Sequence, residues 1–161
     1  MIDHGNSNQL STYSYLYINE LLLRILPQHI PNKELFNLYQ AFVDSFTTST
    51  FKEESLRGFE LDLLDVLGFG INFDTDSLNN SNLENDQKYQ FVPESGFRAS
   101  NDNGNFTKAE LVKVKDRELT EIDKHKLKTL TQAAIAACLD GKDLNSRSTC
   151  LLYTSDAADD A

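Results

Sequence analysis

Seven basic side chains, Lys108, Lys113, Lys115, Arg117, Lys124, Lys126 and Lys128, fall in one stretch of the chain. Positions 108–128 carry 7 basic and 5 acidic residues, whereas positions 52–94 carry 3 basic and 10 acidic ones. The formal net charge is −10. Contact with DNA phosphate needs clustered Lys and Arg, so any anion-facing surface falls to the first segment or to isolated cations. The interleaved acids support a plainer alternative, two solvated helix faces. Arg57 has Glu53 and Glu60 within one turn on either side, the spacing of a surface ion pair.

Other chemistry finds no residue set. His4, His29 and His125 are scattered, with no Cys or acid at metal-binding spacing. Cys138 lies in a helical pattern and reads as a small buried hydrophobe; with Cys150 alone it cannot build a zinc site. Gly68-Phe69-Gly70 is too short for a phosphate loop and follows a helix. No Ser-His-Asp or Cys-His arrangement can be argued from spacing. The expectation is no enzyme, no metal and no cofactor.

These residues need a scaffold, and 161 residues suffice for one domain that buries roughly two thirds of its unfolded surface. Helical spacing predicts a first helix over 15–26, with Tyr15, Ile18, Leu22 and Ile25 on one stripe and Pro27 and Pro31 opposing its continuation. Asn32 is the expected cap of a second helix running to about Phe46, antiparallel to the first. A third spans 51–67, with Gly68 just past its end in the left-handed position. Residues 74–88 are Asn-, Asp- and Ser-rich and read as a mobile loop. Pro93-Glu94-Ser95-Gly96 is a turn signal, so 89–99 should form a small hairpin. Thr107-Lys108-Ala109-Glu110 is a capping box opening a short fourth helix. Thr120 opens a fifth that ends at Gly141. Leu22, Phe42, Phe59, Leu63, Leu67, Leu130 and Ile135 should be mostly buried. No stretch approaches the ~20 apolar residues of a membrane span, and no signal peptide is visible, which predicts the cytosol.

Four stretches, in order, resemble the RecO family. They are Leu16-Tyr17-Ile18-Asn19-Glu20-Leu21-Leu22-Leu23-Arg24, Phe59-Glu60-Leu61-Asp62-Leu63-Leu64-Asp65-Val66-Leu67-Gly68-Phe69-Gly70, Glu94-Ser95-Gly96-Phe97, and Leu139-Asp140-Gly141-Lys142-Asp143-Leu144-Asn145-Ser146-Arg147. The resemblance covers about 13–147. It implies a mainly α fold, the helical C-terminal domain of RecO type with a small β-hairpin. The N-terminal OB barrel of the family is expected to be absent, with 1–12 a remnant before the helical domain. Many members carry four zinc-binding Cys after the third helix. None stands at 74–96 here, so the match looks closest to the zinc-free, gammaproteobacterial-like branch.

RecO proteins are recombination mediators of the RecF pathway. They anneal strands, work with RecR, and help load RecA onto DNA coated by single-stranded-DNA-binding protein. The resemblance therefore implies these partners, DNA mainly through the barrel, and a bacterial, nucleoid-associated protein. It also implies a site for the acidic, Phe-ended tail of single-stranded-DNA-binding protein, for which Arg57 with Leu61 and Leu64 is the candidate. Lys108, Lys113, Lys115, Arg117, Lys124, Lys126 and Lys128 would meet DNA phosphate or the same tail. Asn19 and Glu20 would face the barrel or form a structural polar network. The competing reading is a helical adaptor that binds only proteins. Residues 148–161 resemble a translated sequencing adaptor and read as a foreign tail, the alternative being a flexible acidic terminus; without its three Asp residues the net charge is −7.

Overall fold

The computed structural model describes residues 4–26, 32–48 and 51–140. Pro27, His29, Pro31, Gly141, Ser146, Cys150 and the segment 148–161 lie outside the described residues. Among the described residues, five helices and three strands follow in order: α1 (His4–Ile25), α2 (Lys33–Ser45), α3 (Glu53–Val66), β1 (Lys88–Val92), β2 (Gly96–Ala99), β3 (Phe106–Thr107), α4 (Lys108–Lys115) and α5 (Lys124–Asp140).

Local signals account for most boundaries. Asn32 caps α2, its Oδ1 accepting from Leu35 N–H at 3.0 Å. Gly68, at φ +86°, follows α3 in the left-handed conformation. At α4, Thr107 Oγ1 accepts from Glu110 N–H at 3.2 Å, and Glu110 Oε1 accepts from Thr107 N–H at 3.0 Å.

Two helix starts differ from expectation. α1 begins at His4 rather than near 15, because apolar periodicity marks only its packed part. Residues 6–14 contain no Pro or Gly, so a nucleated helix extends through them at little cost. α5 begins at Lys124 rather than near Thr120. Asp123 Oδ1 accepts from Lys126 N–H at 2.9 Å and is the effective cap, while Ile122 N–H bonds Leu119 carbonyl at 3.2 Å in the preceding turn.

Two apolar clusters hold the described residues together, and α3 and α5 run through both. In the first, α1, α2 and α3 meet the C-terminal half of α5 around Phe42, with Phe42–Phe59 and Phe46–Phe51 ring centroids 4.6 and 4.7 Å apart. Tyr15, midway along α1, touches Phe46 just past α2, and Tyr39 O–H, earlier in α2, donates to Asn19 Oδ1, later in α1, at 2.8 Å, which makes the α1–α2 pair antiparallel. In the second, Phe73, Tyr89, Phe97 and Phe106 pack with Leu111, Val114, Leu127, Leu130 and Leu61. Each such burial contributes about 1.5–3 kcal/mol. Phe42, Phe59, Leu63, Leu130 and Ile135 are buried as expected, whereas Leu22 and Leu67 are half-buried at the edge of the first cluster. α1 is apolar on its outer side too, with Tyr13, Leu16 and Leu23 exposed.

The hairpin is present, with Tyr89 opposite Ala99 and Val92 opposite Gly96. Its sequence signal missed a third strand: β3 pairs antiparallel with the other side of β1, giving the order β2-β1-β3. A two-residue strand has no periodicity to read. The stretch 74–88, expected to be mobile, is tied to the sheet. Asp76 is buried; its carboxylate accepts from Leu78 N–H at 2.8 Å and from Ala99 N–H at 3.0 Å. Ser77 N–H bonds Phe97 carbonyl at 2.7 Å, and Tyr89 O–H accepts from Glu84 N–H at 2.7 Å. Leu83 of this stretch is buried in the second cluster. Asn and Asp side chains that mimic backbone turns give it order without an apolar pattern.

Candidate functional site

Arg57, Leu61 and Leu64 stand at i, i+4 and i+7 on α3, so they share one face. The structure brings them together there, and that face is turned to α5. Leu61 packs in the cluster that holds Leu127 and Leu130, Leu64 in the one that holds Ala134, Ile135 and Cys138. Relative exposures are 7% for Arg57, 2% for Leu61 and 1% for Leu64. The ion pair expected at the surface is instead buried at a helix–helix seam.

The seam is organised by Glu60, which is fully buried. Arg57 Nη1 donates to Glu60 Oε1 at 2.5 Å. Thr131 Oγ1 of α5 donates to the same oxygen at 3.1 Å, and Tyr17 O–H of α1 donates to Oε2 at 2.8 Å. One carboxylate thus joins three helices. Burial pushes the Glu60 carboxyl up; the Arg57 charge and the hydrogen bonds from Tyr17, Arg57 and Thr131 offset that only in part. The guanidinium is not saturated. Arg57 Nη2 lies 3.8 Å from Glu53 Oε1, beyond hydrogen-bonding length, and its Nε is buried without a hydrogen-bond partner. Sequence reasoning offered Glu60 as a surface partner of Arg57, and missed both its burial and the roles of Tyr17 and Thr131 in this network. The available signal was an acid set among Phe59, Leu61, Leu63 and Leu64, where an unpaired charge would not persist.

The basic segment is largely engaged by the chain's own acids. Lys113 bonds Glu121, and Lys115 bonds Asp74 at 2.7 Å; these hydrogen bonds raise both ammonium groups above their usual range. Arg117, at φ +61°, clasps Asp62 at 2.9 Å and Asp65 at 2.8 Å and donates to Val114 carbonyl at 2.9 Å. Lys126 bonds Glu110 at 2.6 Å and Asn105 carbonyl, and lies 4.5 Å from the Phe106 ring centroid. Partial burial pushes the Glu110 carboxyl up, but the bonds and charge of Lys126 and the Thr107 bonds outweigh it and hold it below its usual value. Lys108, Lys124 and Lys128 make no ion pair among the described residues, and Lys124 and Lys128 lie one turn apart on α5.

Asn19 of α1 donates through Nδ2 to Tyr15 carbonyl at 2.7 Å and accepts through Oδ1 from Tyr39 O–H of α2, whereas Glu20 pairs within α1 with Arg24 at 2.5 Å. Among the described residues, no three His, Cys, Asp or Glu side chains sit close enough to hold a metal ion. No described helix is long and apolar enough to cross a membrane.

The family model described as recombination protein O C terminal matches residues 7–148. The chain belongs to the RecO family. Curated relatives named DNA repair protein RecO, from Salmonella dublin, Salmonella enteritidis PT4 and Salmonella gallinarum, are each 37% identical over 142 residues. The match covers 86% of this chain and 59% of each relative, so the chain spans about three fifths of their length. All eight elements of the fold, and all of the basic and seam residues described above, fall almost wholly or wholly inside the RecO-matched span.

Proposed function

We propose that this chain serves a DNA-repair protein of RecO type, a non-enzymatic recombination mediator of the RecF pathway, and that its helical region holds a protein partner. The partner is the acidic, Phe-ended C-terminal tail of single-stranded-DNA-binding protein. Arg57 receives the terminal carboxylate, and the Phe lies against the α3–α5 seam beside Leu61 and Leu64. Strand annealing, RecA loading with RecR and a cytoplasmic, nucleoid-associated setting follow from the same reading. The observation that carries it is the spare guanidinium edge of Arg57, a cation held rigidly beside apolar side chains in a chain of net charge −10. Such a molecule repels acidic peptides in general, so recognition must be local. On this reading Leu61 and Leu64 are reached only when α5 moves aside, and Arg57 carries most of the specificity.

Titration calorimetry with a synthetic acidic peptide ending in Phe tests it. Arg57→Gln/Glu60→Gln keeps the seam hydrogen-bonded and neutral, and should weaken binding about tenfold or more, since charge-assisted contacts contribute roughly 1.5–3 kcal/mol. Lys52→Ala should change it little. Equal affinities for the double variant and the parent would remove Arg57 and move the site to Lys108, Lys113, Lys115, Arg117, Lys124, Lys126 and Lys128.

A helical adaptor with no DNA-binding activity is favoured by one observation: Lys113, Lys115, Arg117 and Lys126 are all paired with acids. The mediator reading gives this chain weak, salt-sensitive binding to single-stranded DNA by fluorescence anisotropy at ~0.1 M salt, and the adaptor reading gives none. Sub-micromolar binding would overturn the adaptor and give the unpaired Lys108, Lys124 and Lys128 a phosphate role.

A further inference from the structure

The two carboxylates at Arg57 are not equivalent. Glu60 is fully buried and held by Tyr17 and Thr131 as well as by Nη1. Glu53 is the first residue of α3, its side chain is one-third exposed, and it reaches Nη2 only at 3.8 Å. The Nε–H and one Nη2–H of a guanidinium point the same way, and together they match the two oxygens of a carboxylate. That edge of Arg57 is the unfilled one: Nε has no hydrogen-bond partner and Nη2 has only the long ion pair.

We infer that Glu53 is a displaceable internal competitor, a carboxylate of the chain's own that screens the side-on edge of Arg57 until a ligand carboxylate takes both donors. The inference rests on the reading that Arg57 receives the tail's terminal carboxylate. It adds that Glu60 stays in place on Nη1 while Glu53 swings out to solvent, which costs little because Glu53 is partly hydrated already. Glu53 therefore sets a threshold: a single exposed carboxylate side chain competes poorly for the edge, whereas a terminal carboxylate anchored by its own Phe displaces the screen. Neutralising Glu53 removes the competitor without touching the receptor. As an acid in the first turn of α3, Glu53 also favours the helix dipole, so a thermal melt accompanies each variant to confirm the fold.

The experiment is calorimetry of the full chain with two peptides of one acidic sequence ending in Phe, one with a free C-terminal carboxylate and one amidated. Glu53→Gln should tighten the free-acid peptide about two- to fivefold, the range expected for loss of a partly exposed ion pair. It should not tighten the amide, and Glu54→Gln, the same charge change one residue away, should not reproduce the gain. The gain should vanish in the Arg57→Gln/Glu60→Gln background. If the free-acid peptide binds through Arg57 but Glu53→Gln leaves its affinity unchanged, or tightens both peptides equally, the competitor is overturned while the tail reading stands. If Arg57→Gln/Glu60→Gln binds as the parent does, or the parent does not bind, the tail reading fails and the competitor falls with it.

Discussion

Arg57 and Arg117 both grip acids of α3, one at the seam with α5 and the other at the outer end of the helix. At the seam the charges are desolvated, and Glu60 is shared among three helices. At the outer end, Arg117 is a quarter exposed and its acids, Asp62 and Asp65, are more exposed still. The outer clasp pins the corner after α4 and uses nearly all of its donors for that purpose. The inner pair is a costly way to join helices, because apolar side chains of similar volume would do so without the desolvation penalty. It also leaves two donors underused. The comparison separates a cation that is consumed by architecture from one that retains capacity for a ligand.

The largest effect should come from breaking the inner pair. Arg57→Ala strands Glu60 and should lower the unfolding free energy by about 3–5 kcal/mol in urea denaturation. Arg57→Gln/Glu60→Gln should recover most of that loss. A cost below about 1 kcal/mol for Arg57→Ala would show the seam to be hydrated in solution and would erase the contrast. Next, Arg117→Ala should cost about 1–2 kcal/mol, since it removes charge-assisted bonds that are partly screened by water.

A third cation–acid contact sharpens the comparison through pH. Glu110 joins the capping box of α4 to Lys126 of α5, and Glu110→Ala should cost about 1 kcal/mol at neutral pH. Its folded carboxyl lies below the ordinary value of 4.5. The ionised form is therefore favoured by folding, and its stabilisation is complete above that value and lost as pH falls through the folded value. Melts of parent and variant should differ at pH 7 and converge in the acid range. A gap that persists unchanged would assign the effect to helix propensity alone. The smallest effect belongs to the hairpin: Glu94 occupies a left-handed position at φ 70°, so Glu94→Gly should gain up to about 1 kcal/mol.

Elements with strong local chemistry were legible in the sequence. Asn32, the Thr107–Glu110 box and Gly68 declare helix ends, and the stripe through Phe42 and Phe59 declares the first cluster. β3 and the ordering of 74–88 were not, because Phe106 pairs with Tyr89, and Asp76 bonds Ala99, across contacts that are distant in sequence. The Pro93–Gly96 turn was found, but Glu94 shares the left-handed geometry there with Gly96. At the site, the i, i+4 and i+7 spacing of Arg57, Leu61 and Leu64 puts them on one helical face. That the face turns inward depends on where α5 lies, and local spacing does not carry that information. Glu60 shows the same limit: i+3 spacing proposed the pair, but only packing makes it buried.

The central claim is that an acidic partner tail engages the Arg57 end of the α3–α5 seam. Backbone amide shifts of the isotope-labelled chain, titrated with the free-acid Phe-ended peptide, test it directly. The account predicts that the largest perturbations fall at 53–61 of α3 and 124–131 of α5, and that they disappear in Arg57→Gln/Glu60→Gln. Perturbations centred on 108–117, or unchanged in the double variant, would contradict it.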